Sequence, residues 1–385
     1  MTKKAKKSVA MLLAGMISLY NTIPVAAMDS MNADADAVLV SKEALFDVLD
    51  YVEPQKELFG LGYVDFSELC IGNPISTYEY LATGLEECVP IYPLFYDGEI
   101  VAIAKCPEGT YFQISTGQLT DELNAAVNGS AALIYDADGT YLFDGVMLTQ
   151  IIESTFETGD RESLAENIAL QNVSTFSLDS FNDVVETNEI AFALLEDAAP
   201  LNYVPNSTAQ TYYSIPVDYV EQHKNMTCWA ACIASISNAV KGTSYTSEYV
   251  VTKVAESRGL NVNDLEDNGR DPVYFTADMR EIFNLGTYAF SADALTVGEV
   301  LSSIQNDRPC VGNYYWRNEF DDKFNHAVVM CGVHVTSSFA TIMDPGQENG
   351  GFYTSYHNGR NFTYTNDGGR TMTNDCGAYY STLSN

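Results

Sequence analysis

The chain has 385 residues, 52 of them Asp or Glu against 19 Lys or Arg, for a net charge of −33. Acidity on this scale argues against nucleic acid and anionic membrane surfaces as partners. A hydrophobic fraction of 46% is ample for real cores, and the length suits two domains.

The chain opens Met1-Thr2-Lys3-Lys4-Ala5-Lys6-Lys7, and an apolar run from Val9 to Val25 ends at Val25-Ala26-Ala27. Basic residues, then an apolar stretch, then small residues predict a secretory signal peptide over residues 1–27, cut after Ala27. Ser18, Asn21, Thr22 and Pro24 interrupt the apolar stretch and make it a poor anchor. No later run approaches the ~18 apolar residues of a membrane-crossing helix, so a secreted, soluble protein is expected.

Residues 28–205 read as an acidic N-terminal domain. From Met28 to Gln210 there are 32 Asp or Glu and 4 Lys or Arg, and from Thr211 onward 20 and 11. The acidic part is expected to be α+β. A helix is predicted near Lys42–Tyr51, ended by Pro54. Ile91–Tyr96 and Glu99–Lys105 flank Asp97-Gly98, a two-residue hairpin signal. Ala131–Tyr135 and Thr140–Phe143 flank Asp136-Ala137-Asp138-Gly139 as a second hairpin, and Leu148–Phe156 reads as a helix. No His occurs between Asp36 and Asp197, and no cluster there has catalytic character. The stretch Asp197–Thr211, with Pro200 and Pro205, reads as an exposed linker.

Residues 206–385 run from helices to strands. Helices are predicted over Cys228–Val240, closed by Lys241-Gly242, over Thr246–Ser257 and over Thr276–Asn284. Thr296-Val297-Gly298-Glu299 is a capping box opening a fourth, through Ile304. Strands are predicted at Cys310–Trp316, His326–Val335, Ala340–Met343, Gly351–Tyr356 and Ala378–Thr382, with Asn358-Gly359 as a turn. The eight cysteines form no CxxC pair and have few His nearby, so no metal site and no cofactor are implied.

The chemistry concentrates in two short segments. Gln222 precedes Cys228-Trp229-Ala230 by six residues, and Asn325-His326-Ala327-Val328-Val329 follows about a hundred residues later. A thiol attacks a carbonyl as thiolate, which a helix N-terminus and a partner imidazolium favour. Cys228 opens the best helix and His326 opens an apolar strand. Asp344 ends the next strand before Pro345-Gly346, where it can fix the imidazole. The Cys228 backbone N–H and the Gln222 amide are candidate oxyanion donors. Cys232, one turn along, reads as a buried thiol and His334 as structural. His223 lies in a polar loop, His357 in a turn, and Asp321 and Asp322 are rivals to Asp344 that would need to fold back.

These motifs resemble the papain-like cysteine peptidase superfamily from about Ser214 to the C-terminus. Ile215-Pro216-Val217-Asp218-Tyr219-Val220-Glu221-Gln222, then Cys228-Trp229-Ala230-Ala231, is most similar to a bacterial branch of leader peptidases and secreted effector peptidases. The resemblance implies a papain-like α+β domain of a helical and an antiparallel β half. It implies Cys228 as nucleophile, His326 as base, Asp344 as orienting residue and Gln222 as oxyanion donor. Here Asp344-Pro345-Gly346 stands where plant and lysosomal relatives carry an Asn-Ser-Trp segment, so their substrate pockets do not transfer. The expected function is a secreted endopeptidase acting on proteins or peptides. It would be made as a zymogen with residues 28–205 as a separate inhibitory pro-region. A Cys-His-Asp deamidase or transglutaminase-like acyl transferase and an inactive binding module are the alternatives.

Overall fold

The computed structural model describes residues 35–81, 84–107, 111–125, 130–136, 139–143, 148–153, 193–195, 198–204, 212–317, 323–335, 338–346 and 350–380. The expected signal peptide lies outside them, as do Asp321 and Asp322.

Helix α1 (Ala35–Val52) places Leu45, Val48, Leu49 and Val52 on one buried stripe, the spacing of an amphipathic helix. Strands β1 (Cys70–Gly72), β2 (Thr77–Leu81), β3 (Gly84–Glu87), β4 (Ile91–Tyr96), β5 (Glu99–Lys105) and β6 (Gln113–Gly117) follow. The β4–β5 hairpin turns at Asp97 and Gly98 with φ of 51° and 83°, the paired left-handed geometry that a two-residue turn requires. After α2 (Gln118–Ala125) come β7 (Ser130–Tyr135), β8 (Gly139–Phe143), β9 (Leu148–Glu153), β10 (Ala193–Leu194) and β11 (Ala198–Pro200). The helix expected over Leu148–Phe156 is a strand in its described part. Leu148 and Ile152 are buried while Thr149 and Gln150 are exposed, and the segment completes an antiparallel ladder with β8. The expected linker is also partly structured. Ala198–Pro200 pairs with β1, and Leu201 and Tyr203 are buried.

The second half begins with β12 (Tyr212–Ser214) and the helices α3 (Cys228–Lys241), α4 (Ser247–Arg258), α5 (Val262–Asn268) and α6 (Phe275–Glu281). Gly242 and Gly259 close α3 and α4 in the left-handed conformation. Strand β13 (Tyr288–Ser291) precedes α7 (Val297–Ile304), which starts with the expected Thr296–Glu299 capping box. Strands β14 (Cys310–Arg317), β15 (Lys323–His334), β16 (Phe339–Asp344), β17 (Gly351–His357), β18 (Phe362–Thr365) and β19 (Thr371–Tyr380) finish the described chain. Helix α5 and strands β13 and β18 carried no clear sequence signal.

The strands of both halves join one sheet of 13 strands, along the path β11-β1-β4-β5-β6-β17-β16-β15-β14-β19-β13, with β12 and β18 pairing off it. A separate six-stranded sheet holds β2, β3 and β7 to β10. A pro-region standing apart from the catalytic part is therefore not the arrangement described. At the junction Gly351 pairs with Gly117, Phe352 with Thr116 and Tyr353 with Ser115. A Cβ on Gly351 would stand 2.8 Å from the Gly117 Cα, so side chains are excluded where the halves meet. Beside this seam Lys105 bonds the Asn366 carbonyl at 2.8 Å and faces Asp367 at 3.6 Å, both charges buried. Tyr51 of α1 reaches the Thr341 hydroxyl at 2.8 Å, and Thr341 donates to Gln55 Oε1 at 3.0 Å.

Strand β15 separates two cores. Ala327, Val329 and Cys331 face the helical layer with Trp229, Ile233 and Ile236, whereas Val328 and Met330 face a core with α7, Tyr353 and Tyr364. A register shift between Met330 and Gly332 turns Val333 to the second face. Among the described residues, no helix is long and apolar enough to cross a membrane.

Candidate active site

Helix α3 begins at Cys228, preceded by a polar loop whose Thr227 hydroxyl is tied to the Lys224 carbonyl at 2.8 Å. The helix buries Trp229, Ala230, Cys232, Ile233 and Ile236 against the sheet, which seats its N-terminus over β15. The Ala327 backbone N–H points at Cys228 Sγ from 3.4 Å.

His326 lies inside β15 rather than at its start, because the ladder with β14 extends back to Lys323. The Val329–Met343 pairing, continued along the strands, puts Asp344 diagonally across from His326. His326 Nε2 meets Asp344 Oδ1 at 2.6 Å, with both side chains 1% exposed. The imidazole also hydrogen-bonds the Cys228 side chain. Asp344 Oδ1 also accepts the Gly346 N–H at 2.8 Å, and Oδ2 accepts the Tyr364 hydroxyl at 2.8 Å. Three expected residues thus come together as a chain from thiol to imidazole to carboxylate. Tyr364, from the unanticipated strand β18, completes it.

The electrostatics follow from that contact. Burial works against a charged Cys228, yet the His326 hydrogen bond and charge, with the Ala327 and Trp229 N–H groups, hold the thiol below its ordinary value. Burial likewise opposes a charged His326, but Asp344 and Cys228 push its pKa up to about 10. The two shifts favour a thiolate–imidazolium pair. One turn along, burial drives the Cys232 thiol well above its ordinary value.

Gln222 is fully buried on the loop before α3, and its N–H bonds the Pro345 carbonyl at 2.8 Å, next to Asp344. Its Nε2 reaches the Asn225 carbonyl at 3.4 Å, a long bond, and its Oε1 has no hydrogen-bond partner among the described residues. His223 turns away to Ser247 and Glu266, and His334 is buried. Among the described residues no cluster of His, Cys, Asp and Glu could hold a metal ion.

Residues 209–356 match the family described as papain-like cysteine protease AvrRpt2. This segment is similar to papain-like cysteine peptidases of the bacterial effector branch. It contains Gln222, Cys228, His326 and Asp344, while the acidic N-terminal strands precede it and Tyr364 follows it. No curated protein matches the chain. Within the papain-like segment, the helix carrying the thiol and the strands carrying the imidazole and carboxylate are the two layers whose contact forms the site.

Proposed function

We propose that the protein is a secreted cysteine endopeptidase made as a zymogen. The observation that carries this reading is the buried Cys228–His326–Asp344 chain, in which the thiol is held low and the imidazole high. The Cys228 thiolate attacks the peptide carbonyl carbon, and negative charge moves to the carbonyl oxygen. The Cys228 N–H at the helix start and Gln222 Nε2 donate to that oxygen. The long bond from Nε2 to Asn225 is given up at little cost when a better acceptor arrives. The His326 imidazolium passes its proton to the departing amine nitrogen, leaving a thioester on Cys228. The now neutral His326 takes a proton from water, which attacks the thioester and restores the thiolate and imidazolium. Asp344 keeps the ring oriented throughout and balances its charge.

The export signal ahead of a potentially harmful activity supports synthesis as a zymogen, with residues 28–205 as intramolecular inhibitor and a cut near residues 205–211. N-terminal sequencing of the secreted protein tests it: chains beginning between Ala198 and Ser214 support processing, and chains beginning only near Met28 overturn it. For the activity, an epoxysuccinyl thiol reagent is expected to label Cys228, and labelling is lost in His326→Ala. Products from a peptide mixture then distinguish hydrolysis from deamidation by mass. Labelled protein that yields only deamidated peptides overturns the endopeptidase reading.

A further inference from the structure

The loop that carries Gln222 is gripped from outside the site by a polar set that the proposed chemistry does not use. Ser247, the first residue of α4, accepts the His223 backbone N–H at 3.1 Å and donates its hydroxyl to the Glu221 carbonyl at 2.8 Å. His223 Nδ1 lies 3.0 Å from the same hydroxyl oxygen, and Nε2 lies 3.0 Å from Glu266 Oε1 on α5. Glu266 Oε2 also takes the Lys224 ammonium. Lys224 first, then His223, hold the Glu266 carboxyl below its ordinary range. Ser247 is 2% exposed and Glu266 9%. The residues on both sides of Gln222 are therefore bound to two helices, while the Gln222 N–H is bound to the Pro345 carbonyl.

Inside this frame Gln222 Oε1 is buried with no hydrogen-bond partner among the described residues. A fully buried amide with an acceptor oxygen that has no partner costs free energy, and a free loop would rotate it toward water. The frame opposes that relaxation. We infer that Ser247, His223 and Glu266 are positioning residues that hold the Gln222 amide ready for the oxyanion. This rests on the peptidase reading above and assigns it a supporting set on the far side of the loop. Displacement of a donor by about 1 Å is enough to cost on the order of 10²-fold in rate.

The test exploits a reaction that needs the thiolate but forms no oxyanion. Alkylation of Cys228 by iodoacetamide displaces iodide at carbon and makes no tetrahedral intermediate. In the secreted protein, Ser247→Ala and His223→Ala are expected to lower kcat for a peptide amide by about 10²-fold, with KM and the alkylation rate within about twofold. Gln222→Ala should show the same pattern, and Gln222→Ala/Ser247→Ala should be no slower than Gln222→Ala. An equal fall in hydrolysis and alkylation would mean that Ser247 merely supports the fold, and overturns the inference. Slow Gln222→Ala beside unimpaired Ser247→Ala overturns the inference alone. Gln222→Ala at full rate overturns the oxyanion role itself and the inference with it.

Discussion

Tyr364 donates its hydroxyl to Asp344 Oδ2 at 2.8 Å, while the other oxygen of that carboxylate receives His326. The tyrosine is buried and packs edge-on to Tyr314 with ring centres 5.1 Å apart, so its hydroxyl is held by packing. Tyr364→Phe keeps the ring and removes one donor. It is expected to lower kcat/KM by about tenfold, the rate equivalent of the roughly 1.5 kcal/mol of one hydrogen bond to a charged group. Asp344→Asn should cost more, because it removes the negative charge that holds His326 as imidazolium. Steady-state hydrolysis of one peptide amide by both variants checks the ranking.

The paired shifts at Cys228 and His326 set the pH profile. Activity should rise as the thiol deprotonates, below its ordinary value of 9.0, and fall as the imidazolium loses its proton near about 10. The values read from the profile belong to the pair. Hydrolysis needs the imidazolium proton for the leaving amine, whereas alkylation needs the thiolate alone. Iodoacetamide alkylation should therefore stay high above the alkaline limb where hydrolysis fails. The same shift bears on the fold. His326 is raised above its ordinary 6.5, so its charged form stabilises the folded chain fully below that pH, and this contribution is lost as pH rises through about 10.

Lys105 and Asp367 carry opposite charges inside the seam, and burial disfavours the charge on each. Lys105→Met leaves Asp367 buried without its counter-charge and should destabilise the protein by about 3–5 kcal/mol. Lys105→Met/Asp367→Asn removes both charges and should recover part of that loss. Urea unfolding of the two variants against the parent measures the difference.

Thiol reactivity should separate Cys228 sharply from its helix neighbour. At pH 6 Cys228 is expected to react fastest with iodoacetamide. Cys232 and Cys331, buried and with raised values, should resist until the chain unfolds. Peptide mapping after timed quenching gives the order of modification.

Much of this was readable where the signal is local. Asp97-Gly98 dictates its hairpin, Thr296 and Glu299 their cap, and the Gln222-to-Cys228 spacing the approach to α3. Asp344 was accessible because antiparallel neighbours bring strand ends together. What escaped is set by distant partners. Leu148–Glu153 is strand because β8 offers a ladder, against a helix-like run of residues. Ala198–Pro200 is ordered by β1, against its own proline. Tyr364 lies on a four-residue strand without a local signature, and nothing near Gly117 announces Gly351. The Ser247–Glu266 frame was invisible for the same reason: His223 is read as loop until α4 and α5 are packed beside it.

The glycine-to-glycine seam bears on what activation by cutting can mean. A nick near residues 205–211 severs the backbone but leaves Gly351–Tyr353 laddered to Ser115–Gly117 and Lys105 still neutralising Asp367. Shedding the N-terminal chain would strip β17 of a partner along that stretch, bare a raw sheet edge inviting foreign strands, and maroon a carboxylate. If the proposed cut is made, these contacts would keep the two pieces paired as a two-chain heterodimer, so activation would have to come from rearrangement around the site rather than from release of the N-terminal part.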